Sequence, residues 1–274
     1  MGEHYHRMLT SHLRMDGSIP AGSVIFVGDS LTQGLCVSAI TEASVNYGIG
    51  SDTTAGVLQR LPKYHAIKEC RAVVLAIGVN DLQRRSDDEI LHNYSKIISA
   101  IPSSTPVIVS SILPVDERIN PTFKGYNARL HWLNVAIRKL LEANGNCHFV
   151  DTGPNLVDPG GNLDAIYHVG DGVHLSTRGY SLWIADLKAC LTTIPPRARC
   201  AGRWHGLGKS GLSRCHRTVC GSMFGWLAGK TCFRKQRGSM APLKLKRKWP
   251  ADTNPCRRTI YRMTPRGLEP LLPG

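Results

Sequence analysis

Long hydrophobic runs are absent from this 274-residue sequence. No stretch reaches the roughly 18 consecutive apolar residues that a membrane-spanning helix requires. Residues 1–22 also lack the apolar centre of a secretory signal peptide. We therefore expect a cytoplasmic protein with no transmembrane segment. Its length is sufficient for one large domain or two smaller ones.

Cysteines in metal-binding pairs are missing as well. The sequence has nine cysteines but no Cys-x-x-Cys pair. Without a signal peptide, those within residues 1–194 are typical of small buried side chains. After residue 194, the only candidate zinc ligands have a spacing that is unusual for a zinc site. They are Cys215, His216, Cys220 and Cys232. A Walker-type phosphate loop is also absent, so the sequence predicts neither a metal nor a cofactor.

Acidic residues are scarce in only one part of the chain. Residues 1–194 carry 16 Lys and Arg residues and 18 Asp and Glu residues. Residues 195–274 carry 18 Lys and Arg residues but only two acidic residues, Asp252 and Glu269. The overall net charge of +14 therefore belongs to the second part. Residues 1–194 are nearly neutral, so their charge gives no reason to expect that they bind nucleic acid.

Pro195 and Pro196 mark the boundary between these two parts. Beyond them, neither helical nor strand periodicity persists, which is typical of a segment that cannot bury enough surface to fold. We predict a folded domain over residues 1–194 and a poorly ordered basic tail over residues 195–274. The tail could be an arm for nucleic acid or anionic membranes, a small Cys-containing appendage, or an extension not shaped by selection for folding.

The first part alternates strand-like and helix-like segments. Its apolar runs do not alternate with polar residues, which is typical of strands covered on both faces of a parallel sheet. Strands are predicted at 23–27, 43–47, 72–77, 106–112 and 147–150, and helices at 53–61, 87–100, 123–143 and 176–192. This order predicts a doubly wound α/β/α sandwich that binds ligands at the carboxyl ends of its strands.

Helix-start signals support two of these helices. Asp52 is the predicted cap of the helix at 53–61, and Ser86 with Glu89 has the spacing of a capping box. Asp29 and Asp81 are expected to hold loops through hydrogen bonds.

Motifs with polar side chains follow the predicted strands. Ser30, in the stretch VGDSLT, is typical of either a nucleophile or a helix cap. A serine nucleophile needs an imidazole to accept its proton, and the imidazole needs a carboxylate to orient it. Asp171 and His174 could supply both from a single loop. The Asn80 amide and backbone N–H groups near Ser30 and Gly50 could stabilise an oxyanion.

Four motifs in this order resemble those of the SGNH hydrolases, also called GDSL esterases and lipases. They are GDSL, GIGSDTT, GVND and DGVHLS, and the resemblance spans about residues 23–193. The run NYGIGSDTTAGVLQRL is similar to the branch that contains the catalytic subunits of intracellular platelet-activating-factor acetylhydrolase. The resemblance implies a three-layer α/β/α sandwich with a five-stranded, flavodoxin-like parallel sheet.

The resemblance also implies roles for individual residues. Ser30 would be the nucleophile and would donate its N–H to the oxyanion, while Asn80 would add a side-chain donor. His174 would be the general base and then acid, oriented by Asp171. The family has a glycine directly before the Asp of its second motif, but Ser51 stands there, with Gly50 one residue earlier. A positive φ at that serine would cost about 1 kcal/mol, so the second backbone donor is left open between these two residues.

The histidines outside these motifs are scattered along the chain. We expect surface or packing roles for His65, His92, His131, His148 and His168. His4 and His6 alone supply too few ligands for a metal ion.

These inferences predict a serine esterase that hydrolyses short-acyl carboxylic esters through an acyl-enzyme. Its expected partner is a small ester substrate, with no nucleic acid bound by the domain, and a homodimer is left open. No long insertion that could form a lid lies between the motifs. The alternative is a binding protein on a hydrolase scaffold whose basic tail contacts nucleic acid or an anionic membrane.

Overall fold

The computed structural model describes residues 2–195 and, in the second part of the chain, the backbone of two short strands. The chain divides into two units, Met1–Gly206 and Leu207–Gly274. In the second unit, β6 (Tyr261–Thr264) pairs antiparallel with β7 (Gly267–Pro270). The other tail residues, including the candidate zinc set, lie outside the described residues, so the boundary at residue 194 stays a prediction.

The first unit contains a five-stranded parallel sheet. Its strands are β1 (Val24–Gly28), β2 (Ser44–Gly48), β3 (Ala72–Ala76), β4 (Val107–Ser110) and β5 (Cys147–Val150). Their spatial order is β2-β1-β3-β4-β5, which is the flavodoxin-like order. All five predicted strands are confirmed. The winding of the chain reverses between β1 and β3, and the carboxyl ends of these two strands border the crevice where ligands bind in such sheets.

Helices cover both faces of the sheet because its strands alternate apolar side chains between the faces. On one face, Ile25 and Val27 of β1 join a core with side chains from four helices: α1 (Glu3–Asp16), α3 (Thr54–Arg60), α4 (Asp87–Ala100) and α5 (Tyr126–Glu142). On the other face, Val24 and Phe26 pack with two helices: α2 (Ser30–Gln33) and α6 (Thr177–Thr193). Among the described residues, no helix is both long and apolar enough to cross a bilayer.

The four predicted helices are present, while α1 and the short α2 lie outside the predicted set. The capping box of Ser86 and Glu89 is formed at the start of α4. α5 begins at Tyr126 rather than near residue 123, because a short 3-10 turn and Gly125 with a positive φ precede it. α1 gives no clear apolar pattern in the sequence, since two of its buried residues, His12 and Asp16, are polar.

The predicted cap of α3 is wrong. Thr53, not Asp52, is the N-cap, and its hydroxyl accepts a hydrogen bond from the N–H of Gly56 at 3.3 Å. Asp52 is buried, and its carboxylate faces the guanidinium of Arg60 at 2.8 Å. A buried carboxylate needs such a counter-charge, and the sequence does not reveal that Arg60 is buried.

Arg60 joins the carboxyl ends of β1 and β2. This side chain, at the end of α3, is fully buried. It donates hydrogen bonds to the carbonyl of Gly28 at 3.0 Å and to the carbonyl of Tyr47 at 2.8 Å. Further bonds reach Asp52 and the Tyr64 hydroxyl. Burial raises the pKa of the Asp52 carboxyl, and the guanidinium opposes that shift. Arg60 therefore holds together the strand ends from which the loops of the crevice start.

We predict that Arg60→Met lowers the free energy of unfolding by about 3–5 kcal/mol, as removal of one partner from a buried ion pair typically does. The substitution leaves the Asp52 carboxylate without a counter-charge and removes the side-chain donors from the carbonyls of Gly28 and Tyr47. Urea denaturation followed by circular dichroism measures the loss.

Arg7→Met is the matched control, because it makes the same chemical change in an exposed pair with Glu3. Exposed pairs contribute little to stability, so this variant should lose much less. Equal losses in the two variants would contradict the structural role given to Arg60.

Candidate active site

Ser30 lies at the carboxyl end of β1, and it is not a helix cap. Asp29 is the N-cap of α2, and its carboxylate accepts a hydrogen bond from the N–H of Leu31 at 3.0 Å. Burial raises the pKa of Asp29 to about 7, and the Leu31 N–H opposes that shift. Because Asp29 fills the cap position, the Ser30 hydroxyl is left for other partners.

A glycine before this turn allows its close packing. A Cβ on Gly28 would collide with the carbonyl oxygen of Ala76 and with the hydroxyl of Thr32. The turn therefore lies directly against the neighbouring strand β3, which brings Ser30 near the residues that follow β3.

Ser30, His174 and Asp171 form a continuous chain of hydrogen-bonding contacts. Ser30 Oγ lies 2.9 Å from His174 Nε2, although 144 residues separate the two in the sequence. His174 Nδ1 lies 2.6 Å from Asp171 Oδ2. The His174 and Asp171 side chains are 47% and 45% exposed, so the group opens to solvent. These are the contacts through which a carboxylate orients an imidazole and the imidazole accepts a serine proton.

Asp171 accepts three hydrogen bonds on its two carboxylate oxygens. Oδ1 accepts from the N–H groups of Val173 and His174 at 3.0 and 2.9 Å, and Oδ2 faces the His174 ring. Burial raises the pKa of Asp171, but these hydrogen bonds outweigh burial and hold the pKa below its ordinary value. The carboxylate is therefore ionised at neutral pH and can stabilise a positive charge on the imidazole.

Asn80 reaches the same crevice from the 3-10 turn Val79–Asp81 after β3. Its Nδ2 donates to the carbonyl of Asp52 at 3.0 Å, which leaves its second amide hydrogen for another acceptor. Asp81 is fully buried and accepts from the N–H and hydroxyl of Thr54 at 2.9 and 2.7 Å. As predicted for this carboxylate, it holds its loop through hydrogen bonds, which tie the turn after β3 to the start of α3.

Gly50 and Ser51 differ in what their N–H groups contact. The N–H of Gly50 donates to Gln33 Oε1 at 2.6 Å. The N–H of Ser51 has no acceptor in the part of the chain that the structure describes. Ser51 has a φ of 61°, a left-handed conformation that is strained for a serine. The backbone therefore adopts a conformation better suited to glycine, and it leaves the Ser51 N–H unpaired.

The surroundings of these residues combine polar and apolar surface. A cavity of about 410 Å³ adjoins Ser51 and is also lined by His4 and Arg84. On the histidine side, Ile119 and Val169 are large exposed hydrophobic residues. Among residues 2–195, no group of three His, Cys, Asp or Glu side chains could hold a metal ion.

Three residues of the crevice carry no sequence signal that we could use. Gln33 and Arg60 are ordinary members of polar helix faces in the sequence, yet they contact the loops around the crevice. His168 was expected to have a surface or packing role; it is buried, and in addition its ring accepts hydrogen bonds from the loop that carries Asp171.

Comparison with known proteins relates the chain to ester hydrolases. A model of the GDSL-like lipase/acylhydrolase family matches residues 26–182. The alpha1 subunit of platelet-activating factor acetylhydrolase IB from Bos taurus is 28% identical over 188 residues, covering 64% of this chain and 78% of that protein. The alpha2 subunit from Homo sapiens is 29% identical over 189 residues, with coverage of 64% and 79%.

Solved structures share the fold. A Streptococcus pneumoniae protein named as a platelet activating factor aligns with a TM-score of 0.64 and 27% identity, covering 69% of this chain and 93% of that one. A GDSL-like lipase from Bacteroides thetaiotaomicron aligns with a TM-score of 0.61 and 21% identity, covering 68% and 97%. The family-model match spans more than half of the chain. The chain therefore belongs to the GDSL-like lipase/acylhydrolase family of ester hydrolases, the SGNH hydrolases whose motifs it carries.

Proposed function

We propose that this protein is a serine esterase that hydrolyses short-acyl carboxylic esters through an acyl-enzyme. Ser30 is the nucleophile, His174 the general base and Asp171 the residue that orients it. The observation that carries the proposal is the unbroken contact chain from Ser30 Oγ through the His174 ring to Asp171, at 2.9 and 2.6 Å. The reaction needs no metal or cofactor, because the chain's own side chains supply the nucleophile and the proton transfers.

Acylation begins when Ser30 Oγ attacks the carbonyl carbon of the ester and its proton passes to His174 Nε2. The ionised Asp171 carboxylate stabilises the imidazolium that forms. When the tetrahedral intermediate collapses, the bond to the alkoxy group breaks, and His174 gives the proton to the departing alcohol. Deacylation repeats these steps with water as the nucleophile, and it releases the carboxylic acid and free Ser30.

The oxyanion of each tetrahedral intermediate needs hydrogen-bond donors that are in place before it forms. We assign this role to the Asn80 amide and to the backbone N–H groups of Ser30 and Ser51. Two observations support Ser51 over Gly50 as the second backbone donor. The Gly50 N–H is already paired with Gln33, whereas the Ser51 N–H has no acceptor within the described residues.

Short acyl groups are favoured by two observations. The related proteins from Bos taurus and Homo sapiens are named as acetylhydrolases. The catalytic histidine and aspartate are nearly half exposed, so the described residues form no lid over them. An open site offers little apolar surface to a long acyl chain, which would gain affinity mainly by burial. We therefore expect acetyl and other short esters as substrates.

Ser30→Ala tests the proposal. The variant should lose at least about 10³-fold in kcat for p-nitrophenyl acetate, because the covalent route disappears while substrate binding remains. Circular dichroism checks that the variant is folded. Ser38→Ala, which removes an exposed hydroxyl outside the crevice, should keep full activity. Near-normal turnover by a folded Ser30→Ala protein would refute the nucleophile.

The oxyanion role of Asn80 gives a second prediction. Asn80→Ala should lower kcat by about 10²–10³-fold with little change in KM, as loss of one oxyanion donor typically does. Steady-state kinetics with p-nitrophenyl acetate measures both constants.

Asn144→Ala is the matched control for this substitution. It also removes an amide that donates a hydrogen bond, in this case to the carbonyl of Leu140. It should leave kcat within a few fold, because Asn144 lies between the end of α5 and the start of β5, at the edge of the sheet opposite the crevice. A change confined to KM in Asn80→Ala would show that Asn80 contributes to substrate binding only.

A further inference from the structure

His168 is a buried histidine inside the loop that carries Asp171 and His174, and the proposed mechanism does not use it. Its side chain is 3% exposed. Nδ1 accepts hydrogen bonds from the N–H groups of Gly170 and Gly172, at 3.0 and 3.2 Å. These two glycines flank Asp171 directly, so the ring of His168 holds the backbone on both sides of that residue.

The contacts of His168 determine which ring nitrogen carries the proton. Nδ1 faces two N–H donors and must therefore be an unprotonated acceptor. Nε2 then carries the proton and faces Asp116 Oδ2 at 3.6 Å, a distance too long for a hydrogen bond. Arg118 binds the Asp116 carboxylate through two hydrogen bonds, at 2.8 and 3.0 Å, and keeps it ionised. The negative charge of Asp116 favours the tautomer that the loop requires.

The loop around Asp171 depends on these contacts because its own conformation is unusual. Gly170 and Gly172 have φ values of 105° and 77°, in the left-handed region. The carbonyl of Gly172 accepts from the N–H of Asp116 at 2.8 Å. His168 and Asp116 thus hold both the N–H and the carbonyl of Gly172, and the residues beside Asp171 cannot shift without breaking these bonds.

We propose that His168 is a positioning residue that sets the location of Asp171 and His174 relative to Ser30. The proposal rests on the proposed function, since it assigns His168 a role in aligning that catalytic group. The contact between His174 and Ser30 joins two loops far apart in the sequence. A displacement of about 1 Å in such a contact can lower the rate by about 10²-fold, so a side chain that holds one of the two loops affects the rate without touching the substrate.

Two polar variants of similar size separate this role from simple packing. His168→Asn places an amide oxygen near the position of Nδ1, so it can still accept from Gly170 and Gly172. His168→Gln places its oxygen farther out, near the position of Nε2, and leaves these N–H groups without an acceptor. We expect kcat for p-nitrophenyl acetate to fall about 10–100-fold in His168→Gln, with KM nearly unchanged. In His168→Asn, kcat should stay within about threefold of the wild-type value.

Amide hydrogen exchange gives a readout that does not depend on turnover. The amides of Gly170 and Gly172 should exchange faster in His168→Gln than in the wild-type protein, and His168→Asn should preserve their protection. The rate at which a fluorophosphonate labels Ser30 should fall in parallel with kcat, because both reactions need an aligned His174.

Leu191→Ala controls for lost stability. Leu191 is buried near the C-terminal end of α6, whereas His174 lies just before the start of that helix. Removing a buried leucine lowers the melting temperature but should leave kcat unchanged. His168→Gln should therefore lose far more kcat than Leu191→Ala at a comparable melting temperature.

The outcomes distinguish this inference from the proposed function. If the wild-type protein neither hydrolyses esters nor reacts at Ser30, the proposed function fails. If the wild-type protein is active but the Asn and Gln variants have equal kcat and equal protection at Gly170 and Gly172, His168 does not position the loop. A loss of kcat no larger than that of Leu191→Ala would likewise overturn the inference.

Discussion

The hydrogen bonds of one buried guanidinium support the whole crevice. Arg60 binds the last residue of β1, the carbonyl of Tyr47 in β2 and the carboxylate of Asp52. Ser30 follows β1 two residues later, and the carbonyl of Asp52 holds the amide of Asn80. Because burying an unpaired charge is costly, the pair of Arg60 and Asp52 forms only when α3 and both strand ends are in place. A single ion pair thus links folding of the sheet edge to the geometry of the proposed catalytic residues.

The carboxylates near Ser30 have different tasks, which their surroundings determine. Asp29 and Asp81 are buried, and each accepts hydrogen bonds from a residue in the first turn of a helix. Asp52 is buried against Arg60. Only Asp171 is substantially exposed among these four, and it lies beside an imidazole. Its hydrogen bonds lower its pKa, whereas burial raises that of Asp29. Exposure and hydrogen bonding, rather than residue type, distinguish the carboxylate that can orient a catalytic histidine.

The three central strands β1, β3 and β4 could be predicted from the sequence because their apolar runs are buried on both faces, which leaves a clear pattern. The edge strands β2 and β5 are only partly buried, and the sequence pattern of β2 is correspondingly weaker. The catalytic candidates could be predicted because motifs at strand ends lie together in a parallel sheet. The role of Asp52 could not be predicted, because it depends on the burial of Arg60 at the end of α3. The contacts of His168 were also hidden, because they require the left-handed turns at Gly170 and Gly172. Local patterns thus predicted elements and motifs, while long-range polar contacts emerged only from the fold.

In the proposed mechanism, every ester substrate passes through one acyl-enzyme on Ser30. Acetate esters with different leaving groups can be hydrolysed in a fixed concentration of methanol, and the ratio of methyl acetate to acetic acid can be measured. If all substrates form the same acetyl-enzyme, this ratio is identical for every leaving group, because the intermediate no longer carries it. A ratio that changes with the leaving group would contradict a common acyl-enzyme and, with it, the nucleophilic role of Ser30.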